Sequence, residues 1–152
     1  MSGFRLFTVL IIVLVASLNG CITEGCEDPG ESMVVITLHE TDNDDVTTID
    51  SLTVYGVGMD DILLYDNTKT GKIGLPLNPA TDRADYVIIN GQSHDTIEIS
   101  YVAVQHFISK ACGYNFLYNI ENVEFTNNRI DTILIINNSV DPADEENLRA
   151  FF

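Results

Sequence analysis

Asn90-Gly91 lies between two apolar runs, YVII (86–89) and TIEISYVAV (96–104). An Asn-Gly pair supplies the positive φ that a tight hairpin turn demands, so the two runs are expected to pair antiparallel. In the second run Ile97, Ile99, Tyr101 and Ala103 share one face, with Glu98 and Ser100 on the other. This two-residue period is that of a half-buried strand and cannot serve a helix.

The same period recurs along the chain. MVVITL (33–38), SLTVYGV (51–57), ILLY (62–65), KIGLPL (72–77), YNFLYNI (114–120) and RIDTILIIN (129–137) are all of strand length. Pro76 cannot donate to a ladder, which assigns 72–77 to an edge. Turn-forming residues separate the runs: Asp66-Asn67-Thr68, the stretch 78–85 and Asn127-Asn128. About eight strands without a long amphipathic helix predict an all-β domain. The expected form is an antiparallel β-sandwich, immunoglobulin-like or similar, with a small β-barrel as the alternative. At the end, Asp141 as N-cap and Pro142 at N1 suit a short helix reaching Phe152; a docked tail is the other reading.

The beginning of the chain has a different character. Arg5 is the only charge before Glu24, and Leu6–Ala16 is apolar except for Thr8. That core fits a signal peptide and is too short for a transmembrane helix. It ends Leu18-Asn19-Gly20-Cys21, which resembles the bacterial lipobox, although Asn19 departs from the usual small residue. That resemblance implies cleavage after Gly20 and acylation of Cys21, because only a thiol forms the thioether. Several acyl chains, at about 0.8 kcal/mol per buried CH2, hold a domain stably on a membrane. The alternative is an ordinary secretory signal with Cys21 unmodified. The expected organisation is thus a signal peptide at 1–20, a lipidated tether at 21–32, a β-domain at 33–140 and a tail or helix at 141–152. Glu24, Glu27 and Asp28 after the anchor loosely resemble a surface-export signal of Bacteroidetes lipoproteins, favouring the outer-membrane surface over the periplasmic face.

Charge narrows the partners. The chain carries 23 acidic and 7 basic residues, a formal charge of −16, and removal of 1–20 makes it one unit more negative. Such a field repels nucleic acid and tolerates basic or cation-bridged partners. With Cys21 acylated, Cys26 and Cys112 remain as an even pair in an oxidising compartment, which predicts a disulfide. Closing a loop of that length stabilises by about 4 kcal/mol in the chain-entropy model. A metal pair or a reactive thiol would need a Cys-x-x-Cys spacing or an adjacent His, and neither is present.

No catalytic signature stands out, and no cofactor motif is present. Gly-x-Ser-x-Gly, Ser-x-x-Lys and His-Glu-x-x-His are all missing from the sequence. His39, His94 and His106 are far apart, and an envelope enzyme would need them to meet carboxylates in one cleft. Asp60-Asp61 reads as a turn. The best cation candidate is the loop bearing Glu40, Asp42, Asp44 and Asp45, whose hard oxygens suit Ca2+ but lack the EF-hand order; a solvated acidic loop is the plain reading. Tyr114, Phe116 and Tyr118 read as core at strand spacing, or as a sugar-stacking platform. The recurring Asp50-Ser51-Leu52, Asp95-Thr96-Ile97 and Asp131-Thr132-Ile133 read as turn chemistry.

The segment YVAVQHFISKACGY (101–114), with Asn127–Asp131, Ile136-Asn137-Asn138, Leu75–Asn78, Cys26 and the lipobox, resembles a family of small Bacteroidetes lipoproteins of unknown function. The resemblance implies no catalytic residues. It agrees with the Cys26–Cys112 pair and a cell-envelope location, and by analogy with an outer-membrane β-barrel or other envelope protein as partner. The functional expectation is a lipid-anchored, non-enzymatic accessory or interaction subunit of an outer-membrane complex. The alternative is a cell-surface module binding a glycan or Ca2+.

Overall fold

The computed structural model describes residues 30–152. The expected signal peptide, the expected acylation site Cys21 and the half-cystine candidate Cys26 lie outside the described residues.

Ten strands follow one another: β1 (Met33–His39), β2 (Ile49–Gly56), β3 (Leu63–Thr70), β4 (Lys72–Pro76), β5 (Arg83–Asn90), β6 (Ser93–Ser109), β7 (Gly113–Phe125), β8 (Thr132–Ile135), β9 (Ser139–Val140) and β10 (Leu148–Phe151). They form a four-stranded sheet, β4-β1-β10-β8, and a six-stranded sheet, β3-β2-β5-β6-β7-β9. The alternating apolar residues of both meet in one core, with Val34, Ile36, Leu38, Ile73, Leu75 and Leu148 from the first sheet. Leu52, Val54, Ile97, Ile99 and Tyr101 oppose them from the second, all essentially inaccessible. Burial of each such side chain contributes about 1.5–3 kcal/mol. The β-sandwich expectation is met, and the two sheets do not close into a barrel.

Asn90-Gly91 forms the expected turn, with Asn90 opposite Ser93 and Gly91 at φ 67°. Pro76 ends β4 on the sheet edge, as its missing N–H requires.

The C-terminal helix is corrected. Leu148–Phe151 is a strand between β1 and β8, parallel to β1, so the sandwich is not purely antiparallel. Asp141 Oδ1 does accept the Ala143 N–H at 2.9 Å, but this closes an isolated turn. The residues beyond gain more by burying Leu148 and Ala150 in the sheet than a frayed helix could offer. The run 129–137 also differs: only Thr132–Ile135 is strand, on the edge, with Leu134, Ile135 and Ile136 exposed. Strand β3 continues through Asp66-Asn67-Thr68 with an irregularity at Asn67, φ 45°. Pairing to β2 overrides the turn preference of those residues.

Three tyrosines lock the two sheets together at one end. Tyr86, Tyr101 and Tyr118, from adjacent strands β5, β6 and β7, direct their hydroxyls at the segment leaving β4. Tyr86 donates to the Pro76 carbonyl, Tyr118 to Leu77 at 3.0 Å and Tyr101 to Asn78 at 2.9 Å. The Asn78 N–H returns a bond to Tyr101 Oη at 3.1 Å. Tyr101 and Tyr118 also meet edge to face, with centroids 5.4 Å apart. Burial, reinforced by the neighbouring tyrosines, pushes the Tyr86 phenol up to about 12.

At the opposite end Asp95, 2% exposed, organises the loop after β7. Its Oδ1 accepts from Thr126 Oγ1 (2.8 Å) and the Asn128 N–H (2.7 Å), and its Oδ2 from the N–H groups of Arg129 (2.8 Å) and Ile130 (3.1 Å). Burial opposes its ionisation, but the bonds from Asn128, Thr126, Arg129 and Ile130 outweigh that and hold its pKa below the ordinary range. The Asp-Thr-Ile motif is here the loop-capping device its residue types suggest.

Candidate functional site

The tyrosine-locked end carries an apolar groove. Two tight turns connect β2 to β3: the Met59 N–H bonds the Gly56 carbonyl at 2.9 Å, and the Ile62 N–H bonds Met59 at 2.8 Å. Gly58, at φ 79°, permits the reversal. A further bond, Val57 N–H to the Asp85 carbonyl at 2.9 Å, fastens the loop to β5. The loop is therefore held in place while its apolar side chains stand outward. Val57, Met59, Ile62, Leu63 and Leu64 are all exposed, Ile62 by 64%.

A cleft of about 450 Å³ lies between this loop and the start of β5, lined by Met59, Ile62, Leu64, Leu77, Ala84 and Tyr86. Asp85 reaches it too. Its Oδ2 is held by Arg83 at 2.9 Å, whereas its Oδ1 is buried and receives no hydrogen bond from the described residues. Arg83 also pairs with Glu98 at 3.2 Å, and its hydrogen bond to Asp85 raises the guanidinium pKa further. Strand length alone marks ILLY as an ordinary strand and does not reveal this groove. The legible signal is five large apolar residues among the eight of 57–64, with no two-residue period to bury them.

The acidic loop lies at the other end. Asp44, at φ 57°, turns its carboxylate to the buried His39 (Nδ1 to Oδ1, 3.1 Å) and to Arg149 (3.2 Å). Glu146 completes this cluster: Arg149 bonds it at 3.0 Å, His39 Nε2 stands 3.7 Å away and Thr37 Oγ1 donates to it. The hydrogen bond from Arg149 is the main cause that lowers the Glu146 pKa. Glu40 and Asp42 face a separate polar cleft of about 670 Å³, shared with Asp50, Arg129, Asp131 and Phe152. Asp45 is exposed, its N–H bonded to Asn43 Oδ1 at 3.0 Å. The four carboxylates Glu40, Asp42, Asp44 and Asp45 are thus divided between two surroundings. Among the described residues, no group of three or more His, Cys, Asp or Glu side chains is placed to hold a metal.

The histidines are also separated. His94 opens β6 and His106 lies twelve residues further along the same strand, roughly 40 Å at strand rise, while His39 ends β1 in the other sheet. Tyr118 belongs to the core and Phe116 is half-buried, but Tyr114 stands 60% exposed. Cys112 sits in the turn between β6 and β7, its N–H bonded to Ser109 Oγ at 3.0 Å.

No curated protein and no solved structure matches the chain. A family of unknown function, DUF6452, matches residues 51–152, a span that begins after Cys21 and Cys26. It takes in the groove loop, all three tyrosines, Asp95 and the closing strand β10, and on that match the chain belongs to the DUF6452 family of unknown function.

Proposed function

We propose that this protein is a lipid-anchored, non-enzymatic domain of the cell envelope, held on the outer membrane through Cys21. There it serves as an accessory subunit and docks a membrane-protein partner in the groove beside the 56–62 loop. The observation that carries the reading is the cluster of exposed Val57, Met59, Ile62 and Leu64 around a cleft edged by Arg83 and Asp85. Exposed apolar clusters with a polar rim are characteristic of interaction sites. Asp60 and Asp61 beside the cluster favour a basic rim on that partner. The lipobox ending at Cys21 supports the anchor. The even pair Cys26 and Cys112 supports a disulfide between the tether and the β6–β7 turn.

The test is affinity capture of the full-length protein from gently solubilised membranes, wild type beside Ile62→Asp. An envelope protein should accompany the wild type at fixed stoichiometry and be lost from the folded variant. Recovery of the wild type as a monomer overturns the reading.

The polar cleft between Glu40, Asp42, Asp50 and Asp131 favours a second reading, a surface module for a glycan. It predicts a rise in melting temperature with the ligand, and a flat response across a glycan panel removes it.

A further inference from the structure

Strands β6 and β7 are far longer than the sheet that holds them. β5 pairs with β6 only as far as Arg83 opposite Ser100, and β9 meets β7 only at Tyr118 and Asn119. Beyond these the two strands continue as a projecting hairpin, from Val104 opposite Leu117 to the turn at Ser109–Gly113, an arm of roughly 17 Å at strand rise. It carries apolar side chains on both faces, interspersed with the exposed Gln105 and His106. Phe107 and Tyr114 meet edge to face across the strands near the tip, centroids 5.2 Å apart, yet are 51% and 60% exposed; on the other face Val104 is 53% exposed, and Val102 at the base 45%.

The arm differs from the rest of the chain in charge as well. None of the 23 acidic residues falls between Glu98 and Glu121, and the one formal charge in that interval is Lys110, at the turn. An acidic protein has kept a single extended element free of carboxylates. That pattern fits an anionic surface, which repels carboxylates, and not a basic protein partner, which would select them.

The chain enters the domain at the arm. Gly30, Glu31 and Ser32 lie against Asn115, Phe116 and Tyr118, and Ser32 Oγ donates to the Phe116 carbonyl at 2.8 Å. Eight residues separate Gly30 from Cys21, at most roughly 30 Å of extended chain. A disulfide between Cys26 and Cys112 would bring the arm's turn within five residues of Cys21. We infer that the β6–β7 arm is a membrane-docking element: its tip, Phe107, Ile108, Lys110 and Tyr114, inserts into the lipid interface beside the acyl anchor. The acidic end of the sandwich then faces away from the bilayer. Aromatic rings with one polar edge and a lysine that reaches the head groups suit that depth. The inference rests on acylation of Cys21.

The sequence contains no tryptophan, so a single one reports without background. Full-length acylated Tyr114→Trp, and separately Val46→Trp at the acidic end, are reconstituted in phosphatidylethanolamine–phosphatidylglycerol vesicles containing brominated acyl chains. Fluorescence from position 114 should shift to the blue and be quenched roughly twofold or more by the brominated lipid, with position 46 unchanged. Phe107→Asp in the Tyr114→Trp background should abolish most of that quenching without releasing the protein from the vesicles. Vesicle-bound Tyr114→Trp protein whose fluorescence is unquenched overturns the docking arm and leaves the anchor standing. A blue shift without quenching means that protein, a second copy or a partner, covers the tip, and it too overturns the proposal. An intact mass without acyl chains removes the anchor, and the arm proposal with it.

Discussion

Ser32 Oγ bonds the carbonyl of Phe116 at 2.8 Å, joining residues 84 positions apart. The bond fixes the first described residues against the base of the β6–β7 arm, and so decides at which end of the sandwich the preceding chain enters. Cys112 lies four residues beyond Phe116 toward the tip, and Cys26 six residues before Ser32. Those short spans of chain would let the two cysteines meet. Cys112→Ser should lower the unfolding free energy by up to about 4 kcal/mol in chemical denaturation. The oxidised wild type should be lighter than its reduced form by the mass of two hydrogens. Equal masses would show that the pair does not form.

Asp95 should be the most sensitive carboxylate in the domain. Asn is isosteric, but its NH2 would face two of the four donors that Asp95 now satisfies. Asp95→Asn is expected to cost about 2–3 kcal/mol by urea denaturation at pH 7. Because the folded pKa is lowered, the contribution of Asp95 is complete above its unfolded pKa and disappears as pH falls through the folded value. The gap between wild type and variant should accordingly narrow on acidification below about pH 4. A gap independent of pH would mean that the carboxylate charge is not what the loop uses.

The tyrosine lock gives an alkaline counterpart. Tyr86 is raised to about 12 from 10.0, so the folded state holds its proton more tightly than the unfolded chain. Stability is full below pH 10 and is lost as pH rises toward 12, by about 2–3 kcal/mol for this group. Tyr86→Phe should flatten that loss while costing roughly 1 kcal/mol at neutral pH through the bond to Pro76. Tyr101→Phe should cost more than Tyr86→Phe, since Tyr101 Oη both donates to Asn78 and accepts from it. Equal losses for the two variants would contradict the double bond.

Deleting residues 148–152 should abolish cooperative folding. β10 is an interior strand, hydrogen-bonded to β1 on one side and β8 on the other, and it buries Leu148 and Ala150. Without it β1 loses a neighbour and β8 loses its place in the sheet. A deletion variant that melts within a few degrees of the wild type would refute the assignment of the C-terminus to the core.

The sequence by itself determined the fold class, most of the inward-facing residues and the hairpin at Asn90-Gly91, because period-two alternation and turn chemistry are local properties of the chain. It also held the pattern of Leu18-Asn19-Gly20-Cys21 and the paired Cys26 and Cys112. Tertiary structure alone decided the rest. Asp141-Pro142 looks like a helix start because capping residues act locally; β10 forms instead because the gap between β1 and β8 offers a buried strand site that no local signal encodes. Asp66–Thr68 reads as a turn until β2 supplies the ladder. Glu40, Asp42, Asp44 and Asp45 read as one ligand set until Arg149, more than 100 residues away, draws Asp44 aside. Tyr114 and Tyr118 sit at the same strand spacing and differ only because the opposing sheet ends between them, leaving Tyr118 in the core and Tyr114 exposed on the projecting arm. Periodicity records which residues share a face, and only the packing of the two sheets settles where that face stops being covered.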